Sequence, residues 1–160
     1  MGATNVWRAI SALVASGLGS GYSRIAPGTC GSFAALLAWW LLYYLAPVGF
    51  SISSLALPAV VTMVGLVAVA SIMGLSSATS DPQWIVIDEW AGLYLALFGI
   101  APLEWRWVFF AFVLFRIFDA VKIGPVGWAE SLPGAWGIMA DDLVAGALVA
   151  LVVWGLRMML

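Results

Sequence analysis

The chain has 160 residues, of which 64% are hydrophobic and 9% charged, with a net charge of −2 and a mean hydropathy of +1.09. Soluble domains carry roughly 25% charged residues, so this composition excludes a water-soluble globule, and the lack of a strong basic run gives no basis for nucleic-acid binding. It predicts one all-α domain over residues 1–160: an integral membrane helical bundle of about five transmembrane helices plus a short N-terminal interfacial or re-entrant helix.

Taken in chain order, the N-terminal stretch NVWRAISALVASGLGSG has a weak signal-peptide look, with Arg8 followed by a short apolar run. Serine interrupts that run and glycines follow at 17, 19 and 21. It is too short to cross about 30 Å of hydrocarbon, and reads as a retained interfacial or re-entrant helix rather than a cleaved signal. Five stretches of about 20 residues then suit a bilayer. They cover about 30–46, 55–75, the segment between Pro82 and Pro102, 105–121 and 143–160. No internal repeat and no strand alternation is evident.

Five crossings sort the connections onto two sides. One side receives 17–32, 76–88 and 122–142, and with the adjoining helix ends holds Arg24, Asp81, Asp88, Glu89, Arg116, Asp119, Lys122, Glu130, Asp141 and Asp142. The other holds Glu104, Arg106 and Arg157. The pattern is a bundle with one polar mouth. Asp81 and Glu130 read as solvated loop charges. Asp88, Glu89, Arg116 and Asp119 sit inside apolar helical sequence, where an ion costs roughly 2.5–3.5 kcal/mol on insertion scales. Such residues persist when paired, when lining a wet cavity or when binding something. Lysine and arginine bias favours a cytoplasmic mouth.

Three constellations carry chemistry. In FRIFDAVK, Arg116, Asp119 and Lys122 recur every third residue along one side of a helix. They can form an internal salt bridge, or a phosphate clamp (Arg116, Lys122) beside a carboxylate ligand (Asp119). In GIMADDLVAG, Asp141 and Asp142 open the last span, where a helix dipole favours acids. Facing Asp88 and Glu89, they would repel strongly without a cation between them. A hard divalent ion such as Mg2+ takes oxygen ligands of this kind. With no histidine and one cysteine, Cys30, the chain lacks the donors of a zinc site and of a Ser-His-Asp triad. The third element, GLGSGYSRIAPGTCGS, places Arg24, Thr29 and Ser32 in a glycine-rich loop at a helix start, a geometry suited to an anion, with Thr29 and Ser32 as expected caps. Cations for an anion, carboxylates for a metal and an apolar surround together suggest phosphoryl chemistry on a lipid.

Together the segments GSGYSRIAPGTCGS (19–32), IVIDEWAG (85–92), FRIFDAVK (115–122) and GIMADDLVAG (137–146) resemble the phosphatidylglycerophosphatase A family of bacterial membrane phosphatases. The resemblance spans nearly the whole chain. It implies Mg2+-dependent hydrolysis of the phospholipid phosphatidylglycerophosphate to phosphatidylglycerol and inorganic phosphate, at the cytoplasmic face of the inner membrane. It falls on Asp88, Glu89, Arg116, Asp119, Lys122, Asp141 and Asp142, and in the first loop on Ser23, Pro27, Gly28, Thr29, Gly31 and Ser32. Two places depart from the family pattern. KIGP stands where a Lys-Pro-x-Pro run is expected, and LPGAW precedes Gly137 where a more glycine-rich turn, often with a histidine, is expected.

In the mechanism this suggests, Asp88, Glu89, Asp141 and Asp142 hold Mg2+, while Arg24, Arg116, Lys122, Thr29 and Ser32 cradle phosphate. Asp119 or Glu89 would orient the attacking water. Direct water attack is preferred to an aspartyl-phosphate intermediate, because no D-x-D motif occurs. The rivals are a membrane transporter, which would carry charge at mid-span in several helices, and another Mg2+-dependent lipid enzyme such as a CDP-alcohol phosphotransferase, whose long aspartate pattern is missing.

Overall fold

A computed structural model describes residues 3–48, 50–73, 82–122 and 124–160, so Asp81 lies outside the described residues. Those residues form seven α-helices and one 3-10 turn, with no strand among them. The helices are α1 (Ala3–Ala15), α2 (Pro27–Leu45), α3 (Phe50–Met73), α4 (Ile87–Ala96), α5 (Trp105–Val121), α6 (Pro125–Glu130) and α7 (Ala135–Met159). The 3-10 turn, Ser20–Tyr22, lies between α1 and α2.

Among the described residues, three helices are long and apolar enough to cross a membrane: Pro27–Leu45, Ser54–Met73 and Ala135–Met159. The expected five full crossings are thus matched, by length and composition, in three. The predicted third span is helical only over Ile87–Ala96, about 15 Å, and α5 reaches about 25 Å. The apolar character of α4 has a different cause: every residue in it but Leu95 is buried by the protein. It packs against α7, α3, α2 and α5 at the centre of the bundle. A short helix with polar groups at its end is tolerated at membrane depth when protein rather than lipid surrounds it.

The α4–α7 crossing sets the site. A Cβ at Gly146 would overlap the Gly92 carbonyl, and one at Gly92 would come within 2.5 Å of the Asp142 carbonyl oxygen. Glycine on both helices lets the backbones approach this closely. The two helices both start at the polar mouth, so one turn back from the crossing lie Asp88 on α4 and Asp142 on α7. The last span also begins earlier than expected. α7 starts at Ala135, which moves Asp141 and Asp142 beyond the first turn and out of reach of the dipole argument.

Around the mouth, the Val86 amide donates to the Ala15 carbonyl at 2.9 Å, and Tyr22 stacks on Trp84 with ring centroids 5.7 Å apart. At the opposite end, Arg157 pairs with Glu104 at 2.7 Å and donates to the Gly99 carbonyl at 2.9 Å, while Arg106 lies over the Trp105 ring. The N-terminal helix α1 packs on α3, with Trp7 Nε1 donating to Ser71 Oγ at 3.3 Å. It also exposes the apolar side chains of Val6, Trp7, Ile10 and Leu13, as expected of a helix lying against lipid.

Candidate active site

The first turn of α4 and the second turn of α7 bring three acids together. One carboxylate oxygen from each of Asp88, Glu89 and Asp142 lies within 4.8 Å of the other two. Their exposures are 7%, 9% and 2%. Glu89 Oε2 and Asp142 Oδ1 are buried and have no hydrogen-bond partner among the described residues. Burying a carboxylate oxygen without a partner costs several kcal/mol, of the order that metal coordination or ion pairing offsets.

Asp141 is adjacent in sequence but points elsewhere. Its Oδ2 receives Lys122 Nζ at 2.8 Å, and its Oδ1 accepts the Asp142 backbone N–H at 3.0 Å. Lys122 reaches Glu130 as well, also at 2.8 Å. Burial alone would lower the Lys122 pKa, but hydrogen bonds and charge from Asp141 and Glu130 outweigh it and hold the ammonium above its usual value. The four expected acids thus divide into a cluster of three and one lysine anchor.

Arg116 forms the opposite wall. Its Nη1 pairs with Asp119 Oδ2 at 2.7 Å, one turn along α5, and donates to Ser32 Oγ on α2 at 3.1 Å. Asp119 in turn lies close enough to Asp142 and Glu89 to couple to both electrostatically. The internal salt bridge read from the FRIFDAVK motif is thus present. Gly28, in the first turn of α2, closes the remaining side: a Cβ there would overlap Glu89 Oε1 and come to 3.2 Å from Arg116 Nη2.

The other loop residues fall elsewhere. Arg24 and Thr29 are exposed, and among the described residues neither enters an ion pair or a side-chain hydrogen bond. Neither Thr29 nor Ser32 caps α2, which starts at Pro27 behind Ala26 in the left-handed region (φ 47°) with no side-chain cap. Proline at the first helical position needs no such donor partner. Ser32 is fully buried inside the helix, and its hydroxyl donates to the Gly28 carbonyl at 2.9 Å. Glu130, read from sequence as a solvated charge, is exposed and also pairs with Lys122. The signal that could have found it is the proline at 125, which starts α6 and turns Glu130 back toward the mouth.

Beside this cluster of hard oxygen donors stand one guanidinium and a helix start stripped of side chains at Gly28, while the Lys122 ammonium sits next to it on Asp141. Such a set fits a phosphate anion beside a divalent cation; the all-oxygen donors suit Mg2+ and not a soft metal. A protein-family model described as phosphatidylglycerophosphatase A matches residues 13–157. A putative phosphatidylinositol-3-phosphatase of Bacteroides thetaiotaomicron is 37% identical over 149 residues, 89% of this chain and 92% of that one. The phosphatidylglycerophosphatases A of Escherichia coli and Haemophilus influenzae are 36% and 34% identical, over 92% and 91% of this chain and 81% and 87% of theirs. No solved structure matches. The chain belongs to the phosphatidylglycerophosphatase A family.

Proposed function

We propose that this protein hydrolyses phosphatidylglycerophosphate to phosphatidylglycerol and inorganic phosphate, with Mg2+, at the cytoplasmic face of a bacterial inner membrane. The observation that carries the reading is the buried cluster of Asp88, Glu89 and Asp142 beside Arg116. In this reading α4, extended by the turns that follow it, and α5 supply the third and fourth of five crossings. The polar mouth faces the cytoplasm, as the lysine and arginine bias favours.

Asp88, Glu89 and Asp142 would hold the cation. When bound, Mg2+ would neutralise phosphate oxygens and lower the barrier by electrostatic stabilisation. Arg116 is already oriented by Asp119 and Ser32, so it meets the developing charge without reorganising. Lys122, fixed between Glu130 and Asp141, adds a second positive charge at the rim. Asp119 is anchored by Arg116 next to Asp142, which suits it to orient a water. That water attacks phosphorus, and the bond from phosphorus to the glycerol oxygen breaks, releasing the alcohol. A transporter would place charges at mid-span in several helices, whereas the described cluster lies at one end of α4, α5 and α7.

The test is phosphate release from purified protein. Asp142→Asn should lower kcat by at least about 10³-fold, several kcal/mol of lost electrostatic stabilisation. It should not lower thermal stability, because it removes one of three crowded carboxylates. Chelation with EDTA should abolish release and Mg2+ restore it, and added Mg2+ should raise the melting temperature of wild type but not of Asp142→Asn. Wild-type turnover in Asp142→Asn, or release indifferent to EDTA, overturns the reading. The Bacteroides relative's name makes a phosphoinositide monoester the second substrate for the same assay. Preference for it over phosphatidylglycerophosphate would move the headgroup assignment and leave the chemistry.

A further inference from the structure

Below the Arg116–Ser32 contact, α2 and α5 enclose an apolar cavity of about 400 Å3. From α2 it is lined by Phe33, Leu36 and Trp40, and from α5 by Phe112, Phe109, Val108 and Trp105. On α2, Leu36 is one turn below Ser32, and Trp40 one turn below that. On α5, Phe112, Phe109 and Trp105 follow Arg116 down the same face of the helix. The two stripes therefore begin at the two residues whose side chains meet at the site, Ser32 and Arg116.

The depth is informative. From Ser32 to Trp40 the helix rises about 12 Å, and from Trp105 to Arg116 about 16 Å. These lengths run from Arg116, sunk below the mouth, to the end of the bundle where Arg157 pairs with Glu104. At its far end Trp40 Nε1 donates to the Pro102 carbonyl at 3.3 Å, and Trp105 stands beside it with the Arg106 guanidinium 5.4 Å from its ring centroid. An aromatic and a cation at that level mark a floor rather than an open channel. The sides are open to the surroundings, since Phe33 and Phe109 are more than half exposed.

We infer that this cleft is the acyl-chain slot of the substrate: the lipid enters sideways between α2 and α5, with its phosphate end at Arg116 and Gly28 and one acyl chain lying along the two stripes. The occupant is argued from continuity, because the slot runs directly from the phosphate-binding wall. The inference rests on the lipid-phosphatase reading of that wall. Lipid tails are as apolar as the residues lining the slot, so transfer from bilayer to slot gains little by the hydrophobic effect. What the slot contributes is alignment of the monoester with the fixed carboxylates, a term that can reach several orders of magnitude in rate.

Leu36→Trp and Phe112→Trp fill the slot and leave Arg116, Ser32 and the acids unsubstituted. The measured quantity is the ratio of kcat/KM for long-chain phosphatidylglycerophosphate to kcat/KM for its deacylated, water-soluble headgroup. Each filling variant should lower this ratio about tenfold, equivalent to about 1.4 kcal/mol. Met63→Trp fills a different apolar hollow, between α1 and α3, and should leave the ratio unchanged. An unchanged ratio in folded filling variants, or an equal fall in Met63→Trp, overturns the slot. Independently of turnover, wild-type protein is photolabelled with phosphatidylglycerophosphate carrying a diazirine in one acyl chain. Labels on the slot residues of α2 and α5, displaced by unlabelled phosphatidylglycerophosphate, support the inference. Labels on other helices, labels equally displaced by phosphatidylcholine, or a slot covered by a second copy of the chain overturn it. If wild type hydrolyses neither substrate, the phosphatase reading has failed, and the photolabel still decides the slot.

Discussion

Gly28 shows how narrowly the site is drawn. No side chain fits at that position without displacing Glu89 Oε1 or crowding the Arg116 guanidinium. Alanine there improves helix propensity by up to about 1 kcal/mol, so a stability screen alone would class the change as harmless. The expected outcome for Gly28→Ala is a folded protein with a melting temperature within a few degrees of wild type. Its kcat should fall about a hundredfold, the usual effect of a misplacement near 1 Å. Single-turnover phosphate release measured beside thermal unfolding separates the two effects; normal turnover would show that Glu89 can be displaced without loss. Asp88 and Glu89 were legible as residues out of place in apolar sequence, and Asp142 as one of an acidic pair opening the last span. Their grouping was not, because neighbours in sequence point different ways around a helix. Asp141 and Asp142 differ by about 100° in direction, and only one of them joins Asp88 and Glu89.

Among the elements, α4 carries the functional burden. Its sequence promised a membrane span, and the structure gives a ten-residue helix at the core of the bundle. Local pattern cannot distinguish the two, since lipid and protein interior select the same apolar residues. Its seating against α7 depends on Gly92 and Gly146, where the helix backbones meet. Gly146→Leu must push α4 from α7, an overpacking that typically costs 1–3 kcal/mol. A fall of several degrees in melting temperature in detergent is expected, together with lost activity as Asp142 withdraws from Asp88 and Glu89. A variant with unaltered unfolding and turnover would place the crossing elsewhere. The same reasoning explains α2. Its first turn was read as a capped anion site, but Pro27 and a left-handed Ala26 start the helix instead, and Ser32 turns inward to Arg116.

At the scale of the whole molecule, the charges divide between two ends of the bundle. The mouth gathers Asp88, Glu89, Arg116, Asp119, Lys122, Glu130, Asp141 and Asp142, while the far end keeps the Arg157–Glu104 pair. Cys30, the single cysteine, lies at the mouth in the first turns of α2 and is partly exposed. It therefore reports orientation without any engineering of the mouth. A membrane-impermeant maleimide should label Cys30 only from the cytoplasmic side of inverted vesicles. In a Cys30→Ala background, Leu160→Cys should label only from the opposite side. The reverse pattern would turn the proposed orientation over.

The sequence by itself determined the solvent, the helical class, the four motifs and the identity of nearly every residue at the mouth. Composition decides the first, because too few charges exist to cover a water-facing surface. Burial cost decides the last, since ions are rarely kept in apolar helices without a partner or a task. Only the tertiary structure decided which carboxylates meet, that α4 is a buried short helix, that Glu130 pairs with Lys122 and that Arg24 and Thr29 stand apart. Those outcomes depend on helix rotation and on where two glycines let backbones touch. Neither quantity is carried by hydrophobic pattern or spacing along the chain.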